Sequence, residues 1–481
     1  GTVVAPGAEV KVFLVAAARH LHRRGLDRRH VVRHLLWGAD IDPLGLAAAE
    51  AALALWAGEP PPPGRLVVGD PLGHGRAVWP DPPPAGFDAV VGNPPFQSQL
   101  GRATARSAAD QRDLRARFGS PVRAYTDTAW LFLLVGCELV RPGGRVVLVE
   151  PQSLVAARDA AAVRAAVDRR AVLRDLWLDD GRVFRAAVRV CAPVLELRAD
   201  GASQPDPPAV SAAVRTAADG PTGDVDDAWG TLWALALDLP ALHVDSRHTL
   251  GERATVVAGF RDQYYGLVDV VRELDPSDPA DAVAPLVTSG ALDWAACAWG
   301  DRPIRYAKRR WRAPVVDLGR LATVAPPAAR RWVERTRVPK LVVATQTRVV
   351  EAAVDREGAW VPSVPALAVV PADPDDLWRL AAALLSPAAT AWLARRAAGT
   401  GLERGAPKVA GPDLAALPLP ADEACWDAAA LALRGVVAAP GPAALDAYLV
   451  ASARAYGVPG SLTAWWRGRA GTAVRHGSPP G

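Results

Sequence analysis

Methionine is absent from the 481 residues, and cysteine nearly so, with four. A chain without Met lacks the residue that starts translation, so the natural beginning is expected upstream of Gly1. Cys137, Cys191, Cys297 and Cys425 lie far apart with no Cys-x-x-Cys pair. That spacing argues against a disulfide framework or a cysteine zinc site and suits a reducing cytosol. No uncharged apolar run reaches the ~18 residues of a membrane span. Gly1-Thr2-Val3-Val4 has no basic region before its apolar residues and does not read as a signal peptide. No phosphate-binding Gly-x-x-x-x-Gly-Lys loop and no nuclease-like acid/lysine constellation is found. His30 and His34 stand one helical turn apart, but without an acidic or third histidine partner they are expected on an exposed helix face, not at a metal.

What is present is apolar: 50% of the chain, enough for two or three cores. The net charge of +4 and pI near 9.0 are mildly basic and compatible with a nucleic-acid partner. Much of the positive charge is Arg on an Ala-, Val- and Pro-rich background. That background reads as high-GC coding bias, so single Arg residues carry little weight. Strand-like runs at Thr2–Ala5, Leu35–Ile41, Arg65–Val68, Phe87–Val91, Arg145–Val149 and Val172–Leu178 alternate with helical stretches such as Ala8–Arg24, Pro43–Trp56 and Asp127–Leu139. This alternation predicts an α/β fold with a doubly wound parallel sheet. Arg141-Pro142-Gly143-Gly144 is a turn signal ahead of the strand at Arg145. Residues 198–228 are rich in Asp, Pro, Gly and Ser and read as a linker. The strand–helix alternation then stops. The expected organisation is a catalytic domain over 1–197, the linker, a mixed α+β domain over 229–430 and a partly helical tail over 431–481.

Three sites stand at the ends of strands, where open α/β sheets bind ligands. Asn93-Pro94-Pro95-Phe96 follows Phe87–Val91 and Gly92. An exocyclic amine is a poor nucleophile because its lone pair is delocalised into the ring. An Asn side-chain oxygen and a backbone carbonyl can each accept one amino hydrogen, drawing the nitrogen towards tetrahedral geometry and aiming its lone pair at a methyl donor. Proline fixes φ and removes competing N–H groups, and Phe96 offers a face on which a base can stack. The plain alternative is a Pro-stiffened loop with an incidental Phe. Asp40 ends the second strand, where a carboxylate can accept from ribose hydroxyls and Ile41 can pack on an adenine ring. Asp42, before Pro43, is expected to cap the next helix. Asp70 ends the third strand and can accept an adenine amino group, although Gly-Asp-Pro is also a common turn.

In this combination the chain resembles the gamma-class N6-adenine DNA methyltransferases, both solitary enzymes and the modification part of single-chain restriction–modification proteins. The resemblance runs over residues 2–197 and continues more weakly to Leu417-Pro418-Leu419-Pro420. It implies a methyltransferase sheet using S-adenosylmethionine, followed by a target-recognition domain. Asp40, Ile41 and Asp70, with Pro6 from the first cofactor motif, would hold the cofactor. Asn93, Pro94, Pro95 and Phe96 would form the catalytic motif, and Phe184 would stack on a flipped base. Gly143-Gly144-Arg145 resembles a late sheet motif. Double-stranded DNA would be the substrate, with a cognate restriction endonuclease or defence-system proteins as partners. The resemblance also implies a bacterial, cytoplasmic, nucleoid-associated setting without a membrane. The same tetrapeptide serves RNA methyltransferases and glutamine methyltransferases acting on release factors. A methyltransferase-derived DNA-binding protein without activity is a further alternative. It is prompted by Ala5, which stands where the family places an acid, and by Glu9 and Lys11 in place of glycines.

In the second domain, Lys308, Arg309, Arg310 and Arg312 interleave with Tyr306 and Trp311 and suggest phosphate contacts with aromatic stacking, to which Lys340 adds charge. Gly259–Tyr265 carries Arg261 and Gln263, residue types that read guanine and adenine edges. Solvated charge and ordinary packing are the alternatives at both places.

Overall fold

Acid-capped helices and apolar strands alternate along the first part of the chain as the sequence pattern predicts, and assemble into a sheet whose first five strands are parallel. The structure is a computed structural model. It describes residues 1–7, 10–97, 106–123, 126–178, 190–199, 229, 234, 238–240, 242, 244–259, 261–397 and 405–471. The chain forms two compact units, the first essentially residues 1–219 and 226–236, the second essentially 237–481.

In the first unit, β1 (Val3–Pro6), β2 (Leu36–Asp40), β3 (Leu66–Val68), β4 (Phe87–Gly92) and β5 (Val140–Leu148) run parallel. β6 (Glu150–Pro151) and β7 (Ala171–Leu178) both pair antiparallel with β8 (Val190–Leu197), and β8 lies antiparallel against β5. The lateral order is β3-β2-β1-β4-β5-β8, the doubly wound arrangement expected. β5 starts five residues before the expected Arg145, because Val140 pairs with Phe87 and the Arg141–Gly144 segment is absorbed as an irregularity within the strand. The turn residues therefore interrupt a strand and do not precede one.

Helices α1 (Val10–Arg23), α2 (Arg28–His34), α3 (Pro43–Ala57), α4 (Pro71–His74), α5 (Ala108–Phe118) and α6 (Thr128–Leu139) flank this sheet. The apolar stripe of α1, with Val10, Leu14 and Ala18, buries against β1 and β2 together with Val31, Leu36 and Leu53. α3 starts because Asp42 accepts from the Leu44 and Gly45 amides and Pro43 supplies a helical φ at the first position. α6 is apolar all round and accordingly buried at every position but Glu138. It lies directly on β5: a Cβ added at Gly136 would stand 2.6 Å from Val146 Cγ1, so any larger residue would force helix and strand apart.

The second unit is mixed α+β, as expected. Ala254–Ala258, Lys340–Val343, Ala352–Asp355 and Leu367–Pro371 form an antiparallel sheet, and a second sheet contains Val271–Glu273, Val283–Val287, Pro314–Asp317 and Val361–Pro362. The helix Pro387–Arg396 begins with Ser386 accepting from the Ala389 amide, as its Ser-Pro start predicts. Two expected boundaries are corrected. Residue 229 belongs to the first unit, where Trp229 Nε1 donates to Asp168 Oδ1 at 2.9 Å. The described part of the expected tail, residues 431–471, is not separate. The helices Glu423–Ala438, Pro442–Tyr456 and Gly460–Ala470 bury Leu433, Tyr448, Leu449 and Trp466 in one core with Leu380 and Leu384. An Ala-rich composition hid how much of each helix faces inward.

Candidate methyl-transfer site

The carboxyl ends of β1, β2, β3 and β4 bring the sequence-predicted residues to one edge of the sheet. β1 ends at Pro6, and Gly7 follows with φ +93°, its amide donating to Ala39 O at 2.8 Å. A side chain at Gly7 would be strained by that φ and would meet the Phe132 ring 3.2 Å away. Ala5 is buried within the sheet. Lys11 lies in the first turn of α1 and faces solvent, so it does not crowd the loop as its place in the sequence suggested. Glu9 lies outside the described residues.

Asp40 is 6% exposed, and its Oδ1 accepts from the Asp42 amide at 3.0 Å. Its backbone carbonyl accepts from Gly69, which ties the ends of β2 and β3 together. Around it Ile41, Leu44 and Val68 are 72%, 76% and 60% exposed, an unusual concentration of bare apolar side chains beside a buried carboxylate. Asp70 is half-buried and caps α4, accepting from Leu72 at 2.9 Å and Gly73 at 3.1 Å. The turn role and a ligand role are compatible, because each carboxylate oxygen has a second lone pair.

Asn93–Phe96 leaves the end of β4 with Pro94 buried and Asn93, Pro95 and Phe96 half-buried. The neighbouring strand holds its root, since Val149 donates to Gly92 O at 2.9 Å. Its far end is held by α6. The Gln97 amide donates to Asp127 Oδ1 at 3.0 Å, and Thr128 Oγ1 donates to Gln97 Oε1 at 3.2 Å. Asp127 also caps α6 by accepting from Ala129. Arg106 braces the same corner through Thr126 O and Thr128 Oγ1. Burial pushes the Asp127 carboxyl above its ordinary range, against the pull of these amides and of Arg106.

Sequence reasoning read Asp127 only as a helix start and passed over Glu150 altogether. Glu150 opens β6, with Val149 alone between it and the end of β5, is fully buried, and neither carboxyl oxygen has a hydrogen-bond partner among the described residues. Burial, reinforced by the nearby Asp127, raises its pKa well above the ordinary value. A glutamate closing the apolar run Val146–Val149 was the signal available in the sequence. Phe184 lies outside the described residues. His30 and His34 lie on the exposed face of α2.

In the second unit, Ile304–Tyr306 and Arg309–Trp311 form an antiparallel hairpin whose turn, Ala307-Lys308, has φ of 48° and 63°. This is the two-residue turn that suits strand twist, built here without glycine. It leaves Arg305, Lys308, Arg309, Arg310 and Arg312 exposed. Tyr306 and Trp311 do not offer stacking faces. They are 2% and 8% exposed and anchor the hairpin, Tyr306 Oη donating to Tyr264 O at 2.7 Å. Arg261–Gly266 is helical, Phe260 lies outside the described residues, and Tyr264 packs under the hairpin, leaving Tyr265 59% exposed. Lys340 is removed from any DNA surface: its side chain is completely buried and paired with Asp355, its cross-strand neighbour.

Residues 82–173, which contain Asn93–Phe96, Asp127 and Glu150, match the family described as Eco57I restriction-modification methylase. No curated protein matches the chain. Similar solved structures include the type I restriction enzyme EcoKI M protein, with 20% identity over 41% of this chain and 39% of that one and a TM-score of 0.32. The type I restriction-modification methyltransferase subunit from Streptococcus thermophilus gives 16% identity over 41% and 40%, with a TM-score of 0.32. A DrdV–DNA complex gives 12% identity over 91% and 54%, with a TM-score of 0.48. This chain thus spans between 39% and 54% of those three. The first unit has a doubly wound α/β sheet, and the segment that resembles the methylase family lies within it.

Proposed function

We propose that the chain is a gamma-class DNA methyltransferase that transfers a methyl group from S-adenosylmethionine to adenine N6 in duplex DNA. The observation that carries this reading is the position of Asn93-Pro94-Pro95-Phe96: at the carboxyl end of β4, inside the segment matching a restriction-modification methylase family, on the sheet edge that also carries Asp40, the last residue of β2, and Asp70, two residues past β3. The residues suit the nucleoside half of the cofactor. Asp40 Oδ2 takes no hydrogen bond among the described residues and can accept from the ribose, Asp70 from the adenine amino group, while Ile41, Leu44 and Val68 supply an apolar cradle. Pro6 and Gly7 border the same edge. Ala5 offers no carboxylate to the methionine ammonium.

When bound, the cofactor supplies an electrophilic methyl group on a sulfonium. The chain's part is positioning and electrostatics. Phe96 stacks on an adenine turned out of the duplex. Asn93 Oδ1 and the Pro94 carbonyl accept the two amino hydrogens and aim the nitrogen lone pair at the methyl carbon. The surplus proton of the methylated amine would leave to solvent. The basic hairpin supplies phosphate contacts through Lys308, Arg309, Arg310 and Arg312. A cognate endonuclease or other defence protein would act with it in a bacterial cytoplasm.

Incubation of the protein with duplex DNA and methyl-labelled cofactor, followed by nucleoside analysis, should yield N6-methyladenine, and Asn93→Ala should reduce the yield steeply. Transfer to RNA or to protein, but never to duplex DNA, would reject the reading. Ala5 favours one second reading, an inactive DNA-binding descendant. Calorimetry showing DNA affinity without cofactor binding would establish that instead.

A further inference from the structure

Glu150 occupies a place where an apolar residue would be the stable choice. Val146, Leu148 and Glu150 alternate onto one face of the β5 line, and all three are 0% exposed. That face is covered by α6, as the Val146–Gly136 approach shows. A buried carboxyl without hydrogen-bond partners forfeits its solvation, a cost that a leucine would avoid. Among the described residues, the groups that face it are few. From the start of α6 comes Asp127, from β8 the buried Cys191, its pairing partner, and behind Asp127 stands Arg106. Asp127 is also the residue that holds the far end of the Asn93–Phe96 loop through the Gln97 amide. Val149, next to Glu150, holds the loop's root at Gly92.

We propose that Glu150 is a positioning residue for the Asn93–Phe96 loop: as an uncharged acid beside Asp127, it lets Asp127 stand ionised and keep the loop tethered at Gln97. The loop's role as substrate site rests on the function proposed above; the tether itself does not. The division of charge follows from the surroundings. Burial raises both carboxyls, but Asp127 has two amide donors and Arg106 that favour its negative form, whereas among the described residues Glu150 meets burial and a neighbouring carboxylate, both of which favour its neutral form. Raising the pH until Glu150 ionises places two carboxylates in one buried corner. The repulsion is relieved by Asp127 letting go of Gln97.

Hydrogen exchange at the Gln97 amide in the intact chain tests this without requiring activity. In the wild type, after correction for base-catalysed exchange, protection of Gln97 should fall roughly tenfold from mildly acidic to alkaline pH, the loss of about one hydrogen bond. The Gly38 amide, which donates to Arg65 O within the sheet, should keep its protection. Glu150→Gln preserves the shape without a proton to lose, and its Gln97 protection should not change with pH; Glu150→Leu should behave alike and serves if the glutamine variant does not fold. A pH-independent wild type, or the same fall in the variants, overturns the proposal. Methyl transfer should mirror the exchange, with an alkaline decline in the wild type that Glu150→Gln lacks. Exchange behaving as expected in a chain that never transfers methyl groups would uphold the tether and reject the methyltransferase reading alone.

Discussion

Lys340→Met separates a basic surface from a buried ion pair. The Lys340 and Asp355 side chains are 0% and 3% exposed and sit opposite each other on adjacent antiparallel strands. Asp355 also accepts from the Ala359 amide at 3.1 Å and the Trp360 amide at 2.9 Å. Removing one partner of a buried pair costs about 3–5 kcal/mol, chiefly by stranding the other charge. The two amides keep part of that stabilisation, and methionine fills most of the lysine volume, so the lower end, about 3 kcal/mol, is expected. For a unit of this size that lowers the melting temperature by roughly 6–12 °C. Thermal unfolding followed by circular dichroism measures it. Replacing Asp355 by Leu in the same chain should recover much of the loss, because the stranded charge is then gone. Below the melting transition, the salt dependence of DNA binding should match the wild type. A Lys340→Met protein with unchanged melting temperature and a shallower salt slope would refute the reasoning, since it would place the ammonium on the DNA.

Further outcomes follow from the other sites. Lys308→Ala and Arg310→Ala should each reduce the slope of log affinity against log salt by about 0.9, with similar losses on unrelated sequences, in a fluorescence anisotropy titration. Asn93→Ala should lower methyl transfer by about 100- to 1000-fold while calorimetry shows cofactor affinity little changed, because the Asn acts on the amine. Asp40→Ala should weaken cofactor binding by roughly 10- to 100-fold, the worth of a charge-assisted hydrogen bond, and Asp40→Asn should fall between. The raised pKa of Glu150 stabilises the fold fully below the ordinary glutamate value of 4.5, and this contribution is lost as pH rises through the folded value. Calorimetric melts of Glu150→Gln should therefore gain on the wild type with increasing pH.

Much of the first unit was legible in order along the chain. Strand–helix alternation predicted the parallel sheet. Asp42-Pro43 and Ser386-Pro387 marked helix starts that the structure bears out in detail. The candidate site could be proposed from the sequence because its parts are local: each is a short motif directly after an apolar run, and the carboxyl ends of parallel strands necessarily share one edge. These features depend on φ preferences, side-chain period and neighbours a few residues away, all of which the amino-acid sequence by itself determines. Burial does not. Lys340 reads as one more cation until Asp355, fifteen residues on, is folded against it. Tyr306 and Trp311 read as stacking faces until the hairpin turns them inward onto Tyr264. Glu150 has its pKa raised first by the burial that folding imposes and further by Asp127 at the head of α6. The tertiary structure decided these three because solvation and charge–charge energies depend on what lies across space, and the chain order does not record it.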